Sequence, residues 1–133
     1  MHYLMFVDDE EYILRAIRRL LKGSELGEVH TIEVPKEALE RLTEREYSVV
    51  FSDFLMPGMN GVDFLKEVKL ICPAATRVIM TGCPDRLKSD YPKVGEELVH
   101  YILNKVNGLM YLRERVKEAI EFYERNKGDL FDD

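Results

Sequence analysis

Five short apolar runs punctuate the chain: "LMFV" from Leu4, "EVHTIEV" from Glu28, "SVVFS" from Ser48, "RVIMT" from Arg77 and "LVHYIL" from Leu98. None alternates strictly between apolar and polar residues, which is how strands buried on both faces of a parallel sheet read. The second run is the weakest. Between the runs the apolar period changes to that of a helix. Ile13, Leu14, Ile17, Leu20 and Leu21 form one stripe that Gly23 stops. Pro35 suits the first turn of a second helix carrying Ala38, Leu39 and Leu42. Val62, Phe64, Leu65, Val68 and Ile71 make a third, ended by Pro73. Leu109, Leu112, Val116, Ala119, Ile120 and Tyr123 line the longest, whose opposite face is charged and solvated. The fourth interval, "CPDRLKSDYPKVGEE", holds Pro84, Pro92 and Gly95 and few apolar residues, so the pattern predicts a short or irregular helix there.

Strands alternating with helices over short connections imply right-handed crossovers and an open parallel sheet covered on both faces, an α/β doubly wound fold. A length of 133 residues and 46% hydrophobic content fit one globular domain. The domain is expected over 1–126, followed by a frayed tail over 127–133, "KGDLFDD". The formal net charge of -6 disfavours direct nucleic-acid contact, which needs clustered Lys and Arg. Cys72 and Cys83 lack metal-ligand spacing and read as free thiols of a reducing, cytoplasmic setting. No apolar run approaches the roughly 20 residues that cross a bilayer, and no basic segment with an apolar core opens the chain. A membrane or secretory role is therefore not expected.

Sites in open α/β sheets lie beyond the carboxyl ends of the strands. Asp8, Asp9 and Glu10 follow the first strand, Asp53 ends the third, Thr81 ends the fourth and Lys105 follows the fifth. Carboxylates gathered there repel by roughly a few kcal/mol per pair at an effective dielectric near 20, and a divalent cation resolves the repulsion. Oxygen donors without nearby His or Cys favour Mg²⁺ or a relative such as Mn²⁺ over zinc. A carboxylate beside such an ion can attack phosphorus, with Thr81 and Lys105 stabilising the transferred group by hydrogen bond and charge.

The segments "VDDEEYILRAIRRLL", "SDFLMPGMNG", "MTG" and "LNK" occur in this order, and in them the chain resembles the receiver domain of two-component response regulators over roughly residues 3 to 125. The resemblance implies a chemotaxis-regulator-like, flavodoxin-like sheet of five parallel strands in order 2-1-3-4-5. It implies that Asp53 is the phosphoacceptor, with Thr81 and Lys105 completing the catalytic set. Asp9 would bind Mg²⁺ directly, Asp8 through water, and the Leu55 carbonyl together with Asp53 would complete the metal ligands. Glu10, one position beyond the acidic pair, is expected to supply charge at a helix N-terminus. Met56 and Pro57 shape the acceptor loop, and Asn60 with Gly61 starts the third helix. Leu55 and Cys83 would flank the path of hydrolytic water; both are poor positioners of water, so a long-lived phosphoryl group is expected. The implied partners are a sensor histidine kinase or phosphotransfer protein and a downstream output domain or partner protein. The chain is then a switch that catalyses only its own phosphorylation and dephosphorylation.

Two departures from the family pattern stand out. Val106 follows the lysine where proline is usual, and Ile102 holds the place of an aromatic switch residue. Tyr101 is next door but faces the other way along a strand. With only seven residues after 126, the chain is expected to act through a partner or as a piece of a longer regulator. His2, His30 and His100 suggest no ligand set, and the six methionines read as core filler. Two other readings stay open. An aspartate-nucleophile phosphatase of the haloacid dehalogenase type needs a second acid two residues after the nucleophile, where Leu55 stands. A phosphorylation-independent pseudo-receiver that only binds partners would tolerate Val106 and Ile102.

Overall fold

The computed structural model describes residues 1–95 and 97–131, with 108 and 129–131 described by their backbone alone. Five strands, β1 (Tyr3–Val7), β2 (Glu28–Ile32), β3 (Val49–Asp53), β4 (Thr76–Thr81) and β5 (Tyr101–Asn104), alternate with five helices. The helices are α1 (Glu11–Leu21), α2 (Pro35–Arg41), α3 (Gly61–Ile71), α4 (Pro84–Asp90) and α5 (Leu112–Phe131). All strand pairs are parallel, in the order β2-β1-β3-β4-β5. The expected doubly wound order is therefore present.

The central strands are apolar on both sides because each side meets its own core. Met5, Val7, Val50 and Ile79 pack with α2, α3 and Leu87 of α4, while Leu4, Phe6, Phe51, Val78 and Met80 pack with α1 and α5. Phe6 and Phe51 stack with ring centroids 4.2 Å apart, a neighbour pair on adjacent strands worth about 1 kcal/mol beyond its area. β2 is the edge strand, and Ile32 alone of its five residues is buried, which explains its weak pattern.

Helix ends follow local chemistry. Pro35 and Pro84 open α2 and α4, where a missing N–H costs nothing. The Asn60 carbonyl oxygen of the side chain accepts from the Asp63 N–H and caps α3. As the proline-rich interval foretold, α4 is short, seven residues with Leu87 as its buried residue.

Three boundaries differ from the pattern. β5 starts at Tyr101, not Leu98, because the preceding backbone serves another purpose: the Glu97 and Leu98 carbonyls accept from the Arg77 guanidinium at 2.9 and 2.8 Å. The long helix begins at Leu112, Leu109 lying in a 3-10 turn (Gly108–Tyr111). Its other end runs through 127–131, the segment expected to fray; Asp132 and Asp133 lie outside the described residues. Lys127 and Leu130 are good helix formers, and one interior glycine, Gly128, costs only about 1 kcal/mol.

α5 is fastened along its length. Arg113 donates to the Leu20 and Lys22 carbonyls at 2.8 and 3.0 Å, closing the C-terminus of α1. Farther along, Tyr123 donates to Glu46 at 2.7 Å, and Lys127 pairs with the same carboxylate at 3.0 Å. His2 meets Glu124 at 3.0 Å and Ser48 at 2.6 Å. Cys72 and Cys83 are free thiols. Among the described residues no helix is long and apolar enough to cross a membrane.

Candidate functional site

Strand register alone assembles the rim. Val7 lies opposite Ser52, so Asp8 emerges beside Asp53, the last residue of β3. Thr81, the last residue of β4, pairs with Asn104, and the N–H of Lys105 donates to the Thr81 carbonyl at 2.9 Å. Asp8, Asp53 and Thr81 are 0%, 6% and 2% exposed, so groups that ordinarily seek water are held in the sheet's end.

The Lys105 ammonium stands 2.7 Å from Asp8 Oδ2, 2.9 Å from Asp53 Oδ1 and 3.7 Å from Glu10 Oε1. Asp8, Asp9, Glu10 and Asp53 each offer an oxygen within 4.8 Å of the others. One ammonium among four carboxylates leaves the cluster negative, and like charges at that spacing repel by about 3 kcal/mol per pair at an effective dielectric of 20. Burial raises the Asp53 carboxyl to about 6, with the Asp8 charge adding to the rise and Lys105 and the Phe54 N–H opposing it. Burial also raises Asp8, against the adjacent Lys105 ammonium and the bond from the Glu10 N–H. Lys105 is pulled down by its own burial, yet the two aspartates outweigh that and hold it above the ordinary ammonium range.

Asp8 Oδ1 accepts from the Glu10 N–H at 2.9 Å. Asp8 Oδ2 is buried without a hydrogen-bond donor among the described residues; Lys105 supplies charge to it but not an aligned bond. Lys105 offsets only part of the charge of four clustered carboxylates, so a buried carboxylate oxygen without an aligned donor marks where a further cation would fit. The all-oxygen donor set fits Mg²⁺ or Mn²⁺. Asp9 is exposed at the lip, and Leu55, 44% exposed, stands two residues beyond Asp53 in the loop. Glu10 is brought into the cluster as a fourth carboxylate and also accepts from the Tyr12 hydroxyl at 2.7 Å. It flanks α1 without a side-chain capping bond, so its carboxylate is turned to the rim as well as to the helix end.

The acceptor loop is set by backbone chemistry. The Phe54 N–H donates to Asp53 Oδ1 at 2.9 Å and to the Met80 carbonyl at 3.1 Å. The Gly61 N–H donates to the Phe54 carbonyl at 2.7 Å, and a Cβ on Gly61 would overlap the Asp53 carbonyl oxygen. Gly58 turns the loop with φ +84°. Met56 is buried and Pro57 exposed.

On the other side, the Cys83 N–H donates to Thr81 Oγ1 at 3.0 Å, and the same hydroxyl lies 3.5 Å from Cys83 Sγ. Every described peptide bond is trans. After Lys105 the chain is held by the Val106 N–H donating to Asn104 Oδ1 at 2.9 Å, a local side-chain turn that stands where the family pattern has proline. Tyr101 packs edge-on to Phe122, while Ile102 is 41% exposed. The pattern around Asn104 gave no sign of this turn beyond the residue type.

The three histidines stay apart from the rim: His30 bonds Tyr47 and pairs with Glu28, and His100 lies against Arg77. Sequence reasoning missed two residues near the site or opposite to it. Tyr91 accepts from the Asn60 amide at 2.9 Å, and Arg77 is a buried charge at the far end of β4.

The comparisons agree with this geometry. A family model described as the response regulator receiver domain matches residues 4–117. The hydrogenase transcriptional regulatory protein HoxA of Cupriavidus necator is 32% identical over 89% of this chain and 24% of its own length. The DNA-binding transcriptional regulator NtrC of Klebsiella pneumoniae is 38% identical over 59% of the chain and 17% of its own. The chain thus spans about a quarter or less of these relatives. A receiver domain structure from Clostridium thermocellum superposes with a TM-score of 0.75 at 30% identity, covering 91% of this chain and 95% of that one. The response regulator TrrA of Thermotoga maritima, solved in complex with Mg²⁺ and BeF, gives 0.74 at 25%, covering 90% and 99%. With the sheet order, the acidic rim and the lysine that joins its two aspartates already in place, the chain belongs to the response regulator receiver domain family.

Proposed function

We propose that this domain accepts a phosphoryl group on Asp53 from a sensor histidine kinase or phosphotransfer protein and changes its surface for a downstream partner or output domain. The observation that carries the reading is the Lys105 ammonium set between Asp8 and Asp53, in a cluster of four carboxylates that one ammonium does not neutralise. Asp8, Asp9 and Asp53, with the Leu55 carbonyl, would hold Mg²⁺ or Mn²⁺. When bound, the ion neutralises the carboxylates and the phosphoryl oxygens.

Asp53 Oδ1 is engaged by Phe54 and Lys105, so the other oxygen is the nucleophile. It forms the O–P bond as the P–N bond of the donor phosphohistidine breaks, and the imidazole leaves with that electron pair. Lys105 and the Thr81 hydroxyl, turned from its 3.5 Å contact with Cys83 Sγ, then meet the equatorial oxygens. Burial of Asp53 keeps bulk water out, and Leu55 and Cys83 give incoming water no strong hydrogen-bonding guide. The site serves one group transfer per switching event. A cytoplasmic location follows from a kinase donor, and the net charge of -6 argues against direct DNA contact by this domain.

Intact mass after incubation with acetyl phosphate and Mg²⁺ tests the assignment. Wild type is expected to gain one phosphoryl group that persists for hours, and Asp53→Asn none. Equal labelling of both would overturn Asp53 as the acceptor. No labelling of wild type would favour the phosphorylation-independent module.

A further inference from the structure

The acceptor loop meets α4 through Tyr91. Its hydroxyl accepts from the Asn60 amide at 2.9 Å, and its ring stands edge-on to Phe54 at 5.8 Å between centroids. Phe54 follows Asp53 and donates its N–H to the Asp53 carboxylate, so Tyr91 is one side-chain contact away from a residue bonded to the acceptor. Tyr91 also ends α4: its N–H donates to the Leu87 carbonyl at 2.9 Å, and its own carbonyl accepts from Val94 at 3.1 Å.

At its other end α4 is flanked by Cys83, whose N–H donates to Thr81 Oγ1 at 3.0 Å. Both caps of the helix are thereby tied to the rim, while Leu87 is the one buried residue between them among those described. A seven-residue helix has little stability of its own. With one buried side chain, its position is set by the two ties more than by packing.

We propose that Tyr91 is a positioning residue that couples the Asp53 loop to α4 and the segment after it. The ring and hydroxyl read two points of one loop, Phe54 and Asn60, so a shift of that loop cannot leave the C-terminal cap of α4 in place. On β5, Ile102 has no polar tip with which to do this. The output route therefore runs through the helix cap, not through an aromatic residue of β5. This inference rests on the proposed phosphoryl acceptance only for its role in signalling; the coupling itself is a property of the resting protein.

Amide exchange tests it. Tyr91→Phe removes the hydroxyl and keeps the ring, while Asn60→Asp keeps the α3 cap oxygen and removes the donor. In the full chain without metal, each single variant is expected to raise exchange about threefold both in 54–60 and in 87–94, and the double variant no further. Additive effects, or a change confined to the mutated segment, would overturn the coupling. Addition of Mg²⁺ and beryllofluoride then reads the role: protection of 84–94 should rise in wild type and by less than half as much in Tyr91→Phe. An equal rise in both overturns the output route. If wild type takes no phosphoryl group from acetyl phosphate, the proposed function falls, and the resting double-mutant cycle still decides the coupling.

Discussion

β4 carries a buried charge problem at each end, solved in opposite ways. Near its start, Arg77 is 3% exposed and donates to the carbonyls of Pro73, Ala75, Glu97 and Leu98 at 2.8–3.2 Å. Its backbone N–H donates to His100 Nδ1 at 2.9 Å. No carboxylate pairs with it among the described residues, yet its donors are met, and the guanidinium stitches the α3–β4 and α4–β5 connections together. At the other end, beyond Thr81, four carboxylates cluster and the Lys105 ammonium reaches three of them. Hydrogen-bond saturation makes the first site a fastener. Unrelieved repulsion marks the second as a place where an added cation would restore stability withheld in the resting state.

The sharpest way to break the contrast is Arg77→Met. It keeps most of the volume but strands several buried carbonyls, and should lower stability by on the order of 3–5 kcal/mol in urea unfolding. A loss under about 1 kcal/mol would show that the carbonyls find water or other donors.

Acid should attack the same fastener. Burial, with the Arg77 and Lys69 charges, lowers His100 to about 4 from its ordinary 6.5. The unfolded chain then binds a proton that the folded one refuses, so this contribution is complete above pH 6.5 and is lost as pH falls toward 4. The upper bound is about 3 kcal/mol. Comparing unfolding at pH 7 and pH 4.5 in wild type and His100→Asn isolates it, the variant being the flatter of the two.

The smallest effect has the opposite sign. In metal-free protein, Asp53→Asn removes one of the crowded charges and can keep the Oδ1 contacts, so it should stabilise the fold by roughly 1 kcal/mol. Destabilisation instead would mean that Lys105 depends on the Asp53 charge more than Asp8 suffers from it.

The sheet was legible because β1, β3 and β4 are buried on both faces and so read as apolar runs without strict alternation. The rim was legible for a related reason: strand ends of a parallel sheet meet at one edge, so Asp8, Asp53, Thr81 and Lys105 could be collected without knowing any distance. What stayed hidden depends on contacts between distant segments. "RVIMT" gives no sign that its arginine is buried, since the carbonyls that satisfy it come from elsewhere in the chain. The same capture by Arg77 is why β5 opens three residues later than its apolar run. Glu10 looked like helix-end charge because only the Lys105 ammonium, brought from β5, shows where its carboxylate turns. Tyr91 sits in the least patterned interval, where proline and glycine obscure any period.

Because α5 is anchored to α1 by Arg113 and to Glu46 by Tyr123 and Lys127, it behaves as an axle mounted in two bearings. A second protein joined to it through unbroken helix would inherit a fixed heading, and its facing would depend on the phase of the joint. Each residue inserted at the junction turns the passenger by about 100° and carries it about 1.5 Å outward. A ladder of fusions lengthened one residue at a time should therefore rise and fall in performance with a period near 3.6 residues, whereas a flexible glycine-serine junction should erase that rhythm.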